Sequence, residues 1–218
     1  MFAVLPLLLL VPAPRLVTAK DPEKTQLNEW PMVMCHDAAT TYLKTGLVNK
    51  WYKTQMDGGA RQELICASNF SRTPLAPRTH LHGLVSCGAR SFDWRPAVVG
   101  NTVYMHHAGN IIKVPMAQAL DEMVAWANTN GTALQELIHI GITDINGDNL
   151  PKANQLVEAL LRERNITFIR NCTMLQTTAA TVARMATLPG GGHLFATFDC
   201  WEENYEPAVA CSGYAARL

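Results

Sequence analysis

From residue 89 onward, strand-length apolar runs alternate with helix-length amphipathic ones. That alternation limits the fold more than any other feature, because parallel strands need a helical crossover between them. Residues 89–95 read as a strand, "GNT" at 100–102 as a turn and "VYMHH" as the next strand. Residues 115–127 carry Met116, Leu120, Met123, Val124 and Ala127 at helical spacing, and Asn130-Gly131 ends the segment. "ELIHIGI" (136–142) is almost continuously apolar, as a strand buried on both faces is. Residues 151–164 form the next helix, with Pro151 in its first turn and Leu156, Val157, Leu160 and Leu161 inside. "ITFIR" is a strand, 173–187 a helix stopped by Pro189 and the glycines after it, and "HLFATFDC" (193–200) a strand. The simplest architectures are a β/α barrel or a doubly wound sheet. No GxGxxG follows the first strand and no GxxxxGK[ST] occurs, which counts against a nucleotide-binding doubly wound fold. About six strands are legible, and a closed (β/α)₈ barrel takes roughly 250 residues. If the fold is a barrel, the strands expected over residues 20–218 stop short of closure, as in an incomplete TIM-type β/α barrel.

Before residue 89 the pattern is weaker. "PMVMC" (31–35) is of strand length and ends at His36-Asp37. Residues 20–30 read as a polar, exposed lead-in, 40–57 as a helix, and 67–80 as loop. Residues 1–19 resemble a secretory leader: an apolar stretch of about ten residues is too short to span a bilayer, and Val17-Thr18-Ala19 suits cleavage. Six cysteines (Cys35, Cys66, Cys87, Cys172, Cys200 and Cys211) without CxxC spacing fit an oxidising compartment, their pairing open. Asn69, Asn130, Asn165 and Asn171 each open an Asn-x-Ser/Thr acceptor sequence. Together these features imply a secreted, disulfide-bonded glycoprotein. Lys plus Arg and Asp plus Glu both number 18. That balance offers no basic face for nucleic acid and no polybasic membrane patch.

Polar residues collect where strands end. In 89–95, Ser91, Asp93 and Arg95 share one side, and Arg90, Phe92 and Trp94 the other. The aromatics suit packing under helices, so Asp93 and Arg95 face the interior at the carboxyl end, where barrel enzymes keep their active sites. His36, Asp37, His107, Asp144 and Asp199 also follow strands. Each has a plainer use: a loop histidine, a structural ion pair for Asp93 and Arg95, a helix cap for Asp37. One of His106 and His107 is not catalytic, because neighbours on a strand point to opposite faces. His139 and His193 read as structural. Two imidazoles and a guanidinium from separate strand ends nevertheless suit phosphoryl transfer between oxygens. One imidazole accepts a proton, the other donates one, and the guanidinium holds phosphate oxygens.

At "MCHDAATTYL", "LVSCGARSFDWRP" and "VYMHHAG", and more loosely at "ELIHIGITD", the chain resembles the phosphatidylinositol-specific phospholipase C X-domain superfamily. The resemblance spans residues 31–145 and implies a distorted TIM barrel. It implies His36 as general base, His107 as general acid with Asp37 as its partner, and Arg95 on the phosphate with Asp93 beside it. Asp37 and Arg95 match the bacterial-type, metal-independent branch, so no cofactor is implied. Asp144, a candidate substrate-binding residue, and Asp199 are the candidates should calcium or magnesium be used. The implied activity is that of a phosphoric diester hydrolase or lyase, acting on an inositol phospholipid or related lipid at a transient membrane contact. Trp51 and Tyr52 are candidates for that contact. Two other readings stand beside it: a metal-dependent glycerophosphodiesterase or sphingomyelinase D-like hydrolase, and an inactive, barrel-derived binding protein.

Overall fold

The computed structural model describes residues 20–35, 38–39, 81, 84–85, 88–107, 110–200 and 209–210. His36, Asp37, the leader, the 40–57 segment with Trp51 and Tyr52, Cys66, Cys87, Cys211 and the Asn69 acceptor site lie outside the described residues.

Among the described residues, six strands form one parallel sheet: β1 (Val33–Cys35), β2 (Ala89–Trp94), β6 (Ile138–Ile142), β7 (Thr167–Ile169), β8 (Leu194–Phe198) and β9 (Val209–Ala210). Between β2 and β6 the chain makes an antiparallel meander of β3 (Pro96–Val99), β4 (Thr102–His107) and β5 (Asn110–Pro115). Among the described residues, α1 (Met116–Asn130), α2 (Leu150–Glu163) and α3 (Ala179–Met185) pack with these strands in an α/β architecture.

The strand order is β7-β8-β6-β2-β1-β9. A barrel wound in chain order would put β7 between β6 and β8. Here β8 takes that place, and β7 goes to the edge. Burial gives the reason: all five β8 residues are buried, whereas Thr167 and Phe168 of β7 are only half-buried. The strand buried along its whole length pairs on both sides, and the short, half-buried one accepts an edge. Closure into a barrel is not seen among the described residues.

One sheet face is apolar. Phe92, Trp94, Ile138, Ile140, Ile142, Leu194, Ala196 and Phe198 pack there with Met116, Ala119, Leu120, Met123 and Ala127 of α1 and Val157 and Leu161 of α2. The helix residues recur every three or four positions, which turns one stripe inward. The start of α2 is fixed by Asn149, whose side chain accepts from the Lys152 amide at 3.0 Å, with Pro151 in the first turn. In the meander, Gly100 at φ 63° supplies the first central position of the two-residue turn between Val99 and Thr102.

Two sequence expectations change. Residues 20–30 are not a solvated lead-in: Leu27 is fully buried and packs with Trp30, Met32, Leu175, Val182 and Phe195 in a second core. Backbone bonds from Leu27 to Thr177 and from Ala179 to Thr25 dock the segment onto α3. The 173–187 stretch is a 3-10 turn (Cys172–Gln176) followed by α3, not one helix. Thr178 breaks it, extended and capping α3 with its own hydroxyl at the Thr181 amide.

Candidate active site

β2 ends at Trp94, and Arg95 is the hinge between the two sheets. Pro96 follows, which holds Arg95 extended and starts β3 without a donor. Past the hinge, β3 still runs beside the chain leaving β6. The Thr143 amide donates to the Trp94 carbonyl at 3.0 Å, and Val98 and Asn146 bond at 2.8 Å. The meander thus stands on the carboxyl edge of the parallel sheet, where the sequence places its candidate residues.

Asp93 is 3% exposed. An ionised carboxylate so deep needs partners, and it has them. Arg95 lies 3.0 Å from one oxygen, and the Thr143 hydroxyl donates to the other at 2.9 Å. The Arg95 side chain is 23% exposed, so the pair joins a buried carboxylate to a partly exposed side chain. Asp93 and Arg95 come together as their alternation in the strand implies. Thr143 is the residue that sequence reasoning passed over. Its only signal was a hydroxyl directly after a buried strand.

His106 and His107 are the last two residues of β4. The His106 ring is buried, and its Nε2 bonds the Asp144 carbonyl at 2.8 Å. A carbonyl only accepts, so Nε2 carries the proton. The Asp144 carboxylate is 3.9 Å from the same nitrogen and largely exposed. Asp144 takes a left-handed φ of 47°, which Asp tolerates better than most residues. His107 pairs with Asn110 in the β4–β5 ladder and is half-buried, on the face opposite His106. β4 belongs to the meander rather than the parallel sheet, so His107 is carried by a hairpin. Asp199, exposed and at φ 52°, follows β8 and donates its amide to the Ile142 carbonyl. Among the described residues, no three His, Cys, Asp or Glu side chains converge to hold a metal ion.

Below Asp93 the same face carries a second polar set. His139 Nδ1 and the Ser91 hydroxyl are 2.9 Å apart, and Nε2 and the Thr197 hydroxyl 2.8 Å. The ring stacks on Phe195 and is 2% exposed. Burial pushes its pKa down to about 3, so the ring is neutral. His193 is buried with Nδ1 2.9 Å from the Ala183 carbonyl and Nε2 3.2 Å from the Thr132 carbonyl. Both histidines tie structure together, as their sequence context suggested. Cys172 and Cys200 form a disulfide that ties the turn after β7 to the exit of β8. The acceptor residues Asn130, Asn165 and Asn171 are exposed.

No family model matches the chain, and no curated protein does. Among solved structures, it is similar to a phosphatidylinositol-specific phospholipase C of S. aureus studied for the modulation of its membrane binding. The identity is 13% and the TM-score 0.48, with 80% of this chain and 49% of that one covered. The chain spans about half the length of that neighbour, and at this level the likeness decides nothing about its chemistry.

Proposed function

We propose that the chain is a phosphodiesterase of the phospholipase C type, acting on an inositol phospholipid or a related lipid. The observation that carries this reading is the Asp93–Arg95 pair, fixed by Thr143 where the two sheets meet. A guanidinium whose position is set by a buried carboxylate is preorganised for phosphate oxygens, and it need not reorganise as charge builds on them. In this reading His36 takes the proton from a hydroxyl of the substrate's own alcohol. That oxygen attacks phosphorus, and the bond to the diacylglycerol oxygen breaks. His107 gives that leaving oxygen its proton, and Asp37 keeps His107 oriented. The products are diacylglycerol and a cyclic phosphodiester. In this reading Asp144, at the same sheet edge, meets the head group. The lipid is met at a membrane surface, and no helix among the described residues is long and apolar enough to cross one. The Cys172–Cys200 disulfide supports a secreted location.

The test is phosphorus NMR of phosphatidylinositol vesicles treated with the protein, with and without chelator. A cyclic phosphate signal that the chelator leaves unchanged is the expected result. Turnover lost on chelation would move the reading to a metal-dependent hydrolase. Absence of turnover, or full turnover by His107→Ala, would end it.

A further inference from the structure

We propose that His106 is a positioning residue, clamping the two chain segments that set the Arg95 guanidinium; this rests on the phosphodiesterase reading above. His106 touches both segments. Its backbone amide donates to the Arg95 carbonyl at 2.8 Å, and its ring Nε2–H donates to the Asp144 carbonyl at 2.8 Å. Thr143, one residue before Asp144, donates to Asp93, and Asp93 holds the Arg95 side chain. The contacts close a ring: His106, Arg95, Asp93, Thr143, Asp144 and back to His106.

Four non-covalent contacts and the Thr143–Asp144 peptide bond make the ring, and a closed ring fixes geometry better than a chain with a loose end. The ring of His106 is 4% exposed. The carbonyl it holds belongs to Asp144, whose φ of 47° is among the less populated backbone conformations, so the contact pins a peptide that has alternatives. Adjacent residues on a strand face opposite ways. The pair therefore divides its labour: His106 is committed to the scaffold, while His107, half-buried on the other face, meets the substrate.

The test compares His106→Ala and His106→Gln with wild type in turnover, pH–rate profile and the Arg95 Nε–H resonance. Glutamine places a donor near where Nε2 stands but carries no titrating proton. Misplacing Arg95 by a fraction of an ångström should lower kcat roughly 10- to 100-fold in His106→Ala, with KM much less affected. His106→Gln should return kcat to within about threefold, keep both limbs of the pH profile and restore the Arg95 resonance that His106→Ala displaces. Wild-type kcat and an unmoved Arg95 resonance in His106→Ala would overturn the proposal. So would a His106→Gln protein as slow as His106→Ala and missing a pH limb, since His106 would then carry a proton itself. If wild type turns over no phosphodiester, the functional reading fails separately, and the Arg95 resonance alone decides the clamp. If His106→Ala does not fold, near wild-type kcat and an unmoved Arg95 resonance in His106→Gln support the clamp, and loss of both overturns it.

Discussion

His139 should make the protein acid-sensitive in a way that can be isolated. Its ring is buried among Ser91, Thr197 and Phe195, and burial lowers its pKa from 6.5 to about 3. The unfolded chain takes up a proton here below pH 6.5, whereas the folded chain refuses it until about pH 3. Below 6.5 the unfolded state therefore binds more protons. The contribution is complete above 6.5 and is lost progressively as pH falls towards 3. Each pH unit in that window costs about 1.4 kcal/mol. Between pH 7 and pH 5 the linkage integrates to about 2 kcal/mol. Urea unfolding of wild type and His139→Asn at both pH values measures it, because the fixed cost of the substitution cancels in the comparison. Wild type should lose about 2 kcal/mol more than the variant. In the folded protein the His139 Cε1–H resonance should not titrate down to pH 4. Parallel stability curves, or a ring that protonates near 6.5 without unfolding, would refute the account.

Thr143→Val removes the hydroxyl from buried Asp93. Unfolding should show a loss of about 1.5–3 kcal/mol, the scale for a bond to a charged group, together with slower phosphodiester turnover. Gly192→Ala would put its methyl 2.3 Å from the carbonyl carbon of Ala127, and backbone cannot yield as a side chain can. Calorimetry should record a destabilisation of about 1–3 kcal/mol, and an unchanged Tm would sink the reading. Reducing Cys172–Cys200, which spans 28 residues, should cost about 3.5 kcal/mol by loop-closure entropy. A urea midpoint indifferent to reductant would contradict it.

What the sequence makes legible follows the range of the physics. The buried β6 run, the capped start of α2 and the Gly100 turn are local, and each is found within a residue or two of where the pattern put it. Asp93 and Arg95 could be paired because two residues apart on a strand means one face. The exchange of β7 and β8 depends on which strand wins the interior, a competition between segments some 30 residues apart that no window contains. The docking of Leu27 and Trp30 was hidden for the same reason: the residues between them are polar, and only α3 and Phe195 show what they cover. Thr143 and the role of His106 depend on β3 running on beside the β6 exit, which alternation within a segment cannot show.

The two faces of the parallel sheet argue for function on physical grounds alone. On one, every inward residue of β6 and β8 is aliphatic or aromatic, and packing on α1 and α2 accounts for it. The other carries Ser91, Asp93, His139 and Thr197, all buried. Burying such groups costs free energy unless each finds a partner, and apolar residues of similar volume would fold at least as well. Each has its partner: Ser91 and Thr197 meet the two nitrogens of His139, and Asp93 has Arg95 and Thr143. Stability gains little from that arrangement. Rigidity gains more, because a satisfied polar network admits fewer alternative packings than an oily one. That network ends at the sheet's carboxyl edge in Arg95 held on buried Asp93, and the proposed phosphate contact would use the stiffness of this support.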